Sequence, residues 1–193
     1  MANWIKGKDW FGDSLTDADR QKAEANARNK TGGFVTVNTD ASYLDETKIG
    51  AYAFWIFGNE GKKQAAGVFK SLIDPKGGPL VCEILAIGNA TYQLELLGYR
   101  FDILIINTDC KHAAEFFCNP HDTGTLATNA AKHQFKRLIK KMKAKFQFRY
   151  VPAHASNMEG RGYVNEWCDL ASRNARRAAE GKPPLTFENK DKY

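Results

Sequence analysis

Phe101-Asp102-Ile103-Leu104-Ile105-Ile106-Asn107, continuing into Thr108-Asp109-Cys110, is the stretch on which the fold turns. Ile103 to Ile106 is apolar at every position, the pattern of a strand buried on both faces. Sheets with such strands carry helices on both sides, and the flanking sequence supplies them. Leu80, Ile84, Ile87, Leu94 and Leu97 recur at a spacing that lines one helix face, and Gly98 is a C-terminal stop. Further helices are predicted from about Cys110 to Cys118, from Thr125 to Lys145 and from Val164 to Glu180. Phe34 to Asp40 is β-branched and aromatic, a strand signal. Gly50 to Phe57 is a second strand, and Gly58-Asn59-Glu60-Gly61 predicts a hairpin into a third near Ala65–Leu72. Phe146 to Val151 closes the set. Three strands, then helix, strand, helices, strand and helix predict an α/β fold. Its mixed five-stranded sheet has three antiparallel strands followed by parallel ones, flanked by helices.

The 193 residues suit one compact domain with a short appendage. Residues 1–33 read as a partly flexible extension, because Asp17 to Lys30 has no apolar stripe and Thr31-Gly32-Gly33 makes a hinge. Residues 34–181 form the principal domain and 182–193 a tail. A content of 43% hydrophobic and 26% charged residues excludes global disorder. No apolar run approaches the roughly 20 residues of a membrane span, and the first residues lack the apolar centre of a secretory signal. Cys82, Cys110, Cys118 and Cys168 form no C-x-x-C pair, which argues against a zinc ribbon and for buried thiols in a reducing cytoplasm. The expectation is a cytoplasmic monomer without a membrane partner.

Four carboxylates stand out. Asp40 ends the first strand and Asp109 follows the buried strand. If those strands are adjacent and parallel, both acids meet at one sheet edge, a usual ligand position in open α/β sheets. Glu83 is placed in the first turn of its helix beside Ile87 and Ala90. Asp169 lies between Cys168 and Leu170 in the last helix. One acid at a strand end is most often a turn or cap residue. Four acids on separate segments, each beside apolar residues, need a common partner, since clustered carboxylates repel unless cations neutralise them. Oxygen-only ligands suit Mg²⁺ or Mn²⁺ rather than zinc. Two such ions roughly 3.5–4 Å apart can activate water and stabilise a leaving oxygen in phosphodiester cleavage.

These segments carry a resemblance. Val37-Asn38-Thr39-Asp40-Ala41-Ser42 resembles the T-D-G-S motif of the ribonuclease H type 1 family, and Cys82-Glu83-Ile84-Leu85-Ala86 its E-L-x-A helix. Ile106-Asn107-Thr108-Asp109-Cys110 resembles its T-D-S strand end. Val151-Pro152-Ala153-His154, then Asn165-Glu166-Trp167-Cys168-Asp169-Leu170-Ala171, resembles V-x-G-H followed by N-E-x-x-D-x-L-A. The similarity runs from about Phe34 to Ala179. It implies a ribonuclease H-like fold and a metal-dependent endonuclease cutting the RNA strand of RNA–DNA hybrids, leaving 5′-phosphate and 3′-hydroxyl ends. It also implies two Mg²⁺ ions, replaceable by Mn²⁺, on Asp40, Glu83, Asp109 and Asp169. Asp40 would bridge them, and His154 would assist proton transfer or product release. Gly78-Pro79-Leu80-Val81 departs from the polar residue the family often carries before its second acid, and Cys110-Lys111 from Ser-Gln in the third motif.

Charge adds a partner. The net charge is +6, and Lys132 to Arg149 holds eight Lys or Arg and no acid. Lys132, Lys136, Arg137, Lys140, Lys141 and Lys143 are expected to form a phosphate-binding ridge on one helix, with Leu138, Ile139 and Met142 facing inward. Two alternatives stay open: a nuclease or resolvase of the same fold acting on another structured nucleic acid, and an inactive nucleic-acid-binding module. The resolvase is disfavoured by Ser172, which stands where a D-x-x-D pair would place a second acid.

Overall fold

The computed structural model describes residues 10–70, 78–152 and 161–188. Its strands are β1 (Trp10–Gly12), β2 (Phe34–Leu44), β3 (Ile49–Gly58), β4 (Gly61–Val68), β5 (Ile103–Thr108) and β6 (Lys145–Tyr150). Its helices are α1 (Asp17–Arg28), α2 (Gly78–Leu96), α3 (Lys111–Cys118), α4 (Leu126–Met142) and α5 (Arg161–Ala179). The sheet has six strands in the order β1-β6-β5-β2-β3-β4, one more than the expected five. The extra strand is β1, which pairs antiparallel with β6 from Trp10 opposite Arg149 to Gly12 opposite Gln147. It lies within the stretch read as an extension. Three residues are too short to show a period-two pattern, and their pairing depends on a partner far along the chain.

The central pairing matches the expectation. β5 is buried along almost its whole length and lies parallel to β2 from Phe34 opposite Ile103 to Asn38 opposite Asn107. β2 does not stop at Asp40. It runs on to Leu44, held antiparallel to β3 through Leu44 opposite Ile49. Asp40 therefore sits where β2 has lost its parallel neighbour β5 but keeps β3, so its side chain stands in a gap at the sheet edge.

Alternation along the strands separates two faces. Val35, Val37, Phe54, Ile56, Leu104, Ile106 and Phe148 join the main core with Ile84, Ile87 and Leu94 of α2 and Phe135 and Leu138 of α4. At roughly 1.5–3 kcal/mol for each large apolar side chain, this burial is the main force holding α2 and α4 on the sheet. α2 and α4 approach closely at Gly88, where a Cβ would lie 2.7 Å from that of Ala131. The opposite face belongs to α5, which crosses β2, β3 and β4. Trp167 of α5 packs edge-on against Trp55 at 5.3 Å between ring centroids. α2 begins at Gly78, earlier than the sequence suggested, because Pro79 falls in the first helical turn, where its missing N–H removes no helix bond. Gly78 is required there, since a Cβ would overlap the Tyr43 ring.

α1 stays largely solvated, with Ala23 as its buried residue. A capping box opens it: Thr16 Oγ1 accepts from Asp19 N at 3.2 Å, and Asp19 Oδ2 accepts from Thr16 N at 2.9 Å. Asp102 ties it to the sheet. Its carboxylate accepts from Asn26 Nδ2 at 2.9 Å and Gly33 N at 2.8 Å, and pairs with Lys22 at 3.5 Å. No helix among the described residues is long and apolar enough to cross a membrane.

Candidate metal centre

Three elements deliver three acids to one place. Asp40 comes from β2, Asp109 from the residue after β5, and Glu83 from α2, one turn in from Gly78 rather than in the first turn. One carboxylate oxygen of each lies within 4.8 Å of the others. Asp40 is 6% exposed. Burial pushes its carboxyl well above the usual range, and the nearby Asp109 and Asp169 push it further, against hydrogen bonds from Ser172 and the Ala41 backbone. Burial likewise raises Glu83, followed by repulsion from Asp40 and Asp109. Glu83 Oε2 is buried without a hydrogen-bond partner among the described residues. Neutralisation by a cation removes the repulsion and supplies the missing partner. The donor set fits a hard divalent ion, and these acids could hold one.

Asp169, the fourth predicted acid, lies on α5 outside the group of three that converge within 4.8 Å. It acts electrostatically on both Asp40 and Glu83, and Arg173 lies 3.6 Å from its Oδ2, one helical turn on. Asp169 is thus the more open acid, with 29% of its side chain exposed. His154 lies outside the described residues.

Two features of the centre escaped the sequence reading. Ser172 Oγ donates to Asp40 Oδ2 at 2.7 Å and lies 3.0 Å from the Asp169 carbonyl. Its place one helical turn after Asp169 was the available signal. Asn107 Nδ2 donates to Asn38 Oδ1 at 2.9 Å, bridging β2 and β5 two residues before each acid. Two buried amides at matching strand positions could have been found by superposing the Asn-Thr-Asp triplets. Cys168 Sγ donates to the Asn38 carbonyl at 3.7 Å, fastening α5 at the same level. Burial and the neighbouring acids raise the Cys168 thiol, and burial pushes Cys82 to about 12 and Cys110 to about 11, so all three are protonated fillers.

The cleft at the centre holds about 580 Å³ between Pro79, Leu80, Glu83, Asp109, Lys111, His112 and Tyr150. Lys111 Nζ sits 4.4 Å above the Tyr150 ring, which places a cation beside the acids.

The basic helix departs from the expected ridge. Lys132 is fully buried. Its ammonium donates to the His121 carbonyl, pairs with Asp122 at 3.6 Å and lies 4.8 Å from the Phe116 ring centre. It fastens the segment before α4 and presents nothing to a phosphate. Arg137 and Lys141 are exposed but pair with Glu95 of α2 at 2.9 and 3.2 Å. Lys136 reaches the Asn119 carbonyl at 3.4 Å. Lys140 is exposed, and exposed Lys143 caps α4 in a left-handed conformation, φ 51°. α4 runs toward the start of β6, and Lys145 opposite Ile103 marks the sheet end away from Asp109. Lys140 and Lys143 therefore lie about one strand length, ~20 Å, from the acids.

No family model and no curated protein matches the chain. Solved structures do. An RNase H1 from the halophilic archaeon Halobacterium salinarum NRC-1 is 14% identical, with 74% of this chain and 97% of that one covered and a TM-score of 0.54. The N-terminal RNase H domain of a Mycobacterium tuberculosis protein is 12% identical over 76% and 98%, with a TM-score of 0.55. The LC11 RNase H1, solved with an RNA/DNA hybrid, is 10% identical over 76% and 99%, with a TM-score of 0.56. The chain has a ribonuclease H-like fold.

Proposed function

We propose that the protein is a divalent-metal-dependent nuclease that hydrolyses the RNA strand of RNA–DNA hybrids, leaving 5′-phosphate and 3′-hydroxyl ends. The observation that carries this reading is the convergence of Asp40, Glu83 and Asp109 within 4.8 Å, two of them held far above the usual carboxylate range. Such a cluster is unstable as free anions and is explained by a bound cation. The LC11 neighbour's hybrid supports the substrate class.

In this reading Asp40, Glu83, Asp109 and Asp169 would hold the ions. Bound Mg²⁺ or Mn²⁺ supplies an activated water and neutralises charge on the leaving oxygen. The protein's own groups do the rest. Asp40 is buried and held by Ser172, so it is fixed before substrate arrives. Lys111 offers a cation to a phosphate in the cleft. His154 is assigned proton transfer or product release.

A second reading concerns substrate range. Pro79 and Leu80 line the cleft next to Glu83 and offer no side-chain donor to a ribose 2′-hydroxyl. A nuclease or resolvase acting on another structured nucleic acid, or an inactive binding module, is therefore tested alongside. End-labelled hybrid, duplex RNA, duplex DNA and four-way junction DNA are incubated with Mg²⁺, with Mn²⁺ and with EDTA. The proposal expects metal-dependent cutting of the RNA strand of the hybrid. Cutting of junction DNA alone favours the resolvase, and binding without cutting the inactive module.

A further inference from the structure

Resting on the metal-centre reading, we infer that Ser172 is a positioning residue that locks Asp40 and Asp169 into one metal-binding unit through its hydroxyl. Ser172 is fully buried on α5, one turn after Asp169, so it is not a surface hydroxyl that happens to meet an acid. Its Oγ lies 2.7 Å from Asp40 Oδ2 and 3.0 Å from the Asp169 carbonyl. The single hydroxyl proton goes to the carboxylate, the closer and more strongly attracting acceptor when ionised. One bond thus joins the strand carrying Asp40 to the helix carrying Asp169, 132 residues apart.

Asp40 needs this restraint. Glu83 and Asp109 bring carboxylate oxygens within 4.8 Å of its own, and an unrestrained carboxylate would rotate away from them. The Ser172 hydroxyl, 2.7 Å away, fixes the orientation of Oδ2. A Ser172 variant without the hydroxyl leaves Asp40 Oδ2 buried without that donor and frees α5 to shift relative to β2. Hydrogen-bond partners of metal ligands typically tune affinity by ~10- to 100-fold.

The test measures Mn²⁺ binding by calorimetry and by electron paramagnetic resonance, without substrate, on the full chain. S172A removes the oxygen, S172C keeps the bulk with a weak donor, S172T keeps the hydroxyl, and D40N is the ligand control. Expected are affinities weakened by ~10- to 100-fold in S172A and S172C, parent-like binding in S172T, and metal-free S172A and S172C that stay folded and melt lower only by what one lost buried hydrogen bond costs. If S172T does not fold, the comparison of S172A and S172C with the parent decides alone. Parent-like Mn²⁺ affinity in S172A or S172C overturns the inference, as does an equal loss in a folded S172T, which would make position 172 a packing site. Parent Mn²⁺ binding that D40N leaves untouched sinks the metal centre itself and the inference with it. Binding without any cleavage activity sinks only the nuclease reading.

Discussion

At the scale of single residues, the centre is a store of electrostatic strain that a bound cation would relieve. Asp40 and Glu83 have raised native pKa values, so the native protein binds more protons than the unfolded chain between their ordinary range, near 4, and those raised values. Stability contributed by these protons is full below the unfolded pKa and is lost as pH rises through the native one. The metal-free protein should therefore melt at lower temperature at pH 7 than at pH 5.5. Asp40→Asn removes one charge from a cluster that also faces Asp109, Glu83 and Asp169. It should raise the metal-free melting temperature at pH 7 while abolishing cleavage and leaving nucleic-acid binding in place. Calorimetry across pH with EDTA, paired with a cleavage assay, checks both halves. A variant that melts lower and still cuts would dismiss the assignment. His154→Ala should slow turnover by ~10- to 100-fold while Mn²⁺ binding stays intact, as for a lost proton-transfer group. Single-turnover rates and a metal titration separate that outcome from a ligand role.

Between elements, α4 shows how one charge run divides into different tasks. Lys132→Ala should leave salt-dependent binding unchanged and lower stability. It removes a buried cation bonded to His121 and Asp122, an interaction of a type that contributes about 1.5–3 kcal/mol. Lys136→Gln should reduce the slope of log affinity against log salt by at most ~0.9, the value for one phosphate contact. Lys140→Gln and Lys143→Gln should change it less, since both lie toward the far end of the sheet. Salt titrations of the three Gln variants decide this, and slopes equal to the parent's would make α4 a solvated surface only. The charge pattern could not reveal these differences, because facing Glu95 and Asp122 come from other segments. The parallel β2–β5 pair was readable, since both segments are apolar strands ending in Asn-Thr-Asp and only adjacency brings the acids together. The extension of β2 to Leu44 was not, because Ala41-Ser42-Tyr43-Leu44 becomes a strand through β3, from Tyr52 to Ile49. Ser172 was visible as a residue one turn from Asp169, but its link to Asp40 exists only after α5 docks.

For the molecule as a whole, the question is whether β1 belongs to the cooperative fold or hangs on its edge. The geometry favours membership. Phe11 is 4% exposed and sits in the main core beside the residues that anchor α3 and α4. Asp13 continues the pairing past the strand: its N–H donates to the Phe146 carbonyl at 3.0 Å, and its Oδ2 accepts from Phe146 N at 3.0 Å. Gln147 Nε2 also donates to the Asp13 carbonyl at 3.2 Å. Deleting residues 1–13 removes these bonds and the burial of Phe11, roughly 1.5–3 kcal/mol for the side chain alone. For a chain of this size that corresponds to a melting temperature lower by about 3–12 °C, at ~2–4 °C per kcal/mol. The same deletion turns β6 into a bare edge with unpaired N–H and C=O groups, a template for pairing with another chain. Truncated protein should therefore associate with rising concentration, which sedimentation velocity reads, while Phe11→Ala melts lower without associating because β1 can still pair. Turnover measured well below the melting temperature should stay near the parent's in both, since β6 and β5 separate β1 from the strand that carries Asp40. An unchanged melting temperature in the truncated chain would make residues 1–13 an appendage and return the working sheet to five strands.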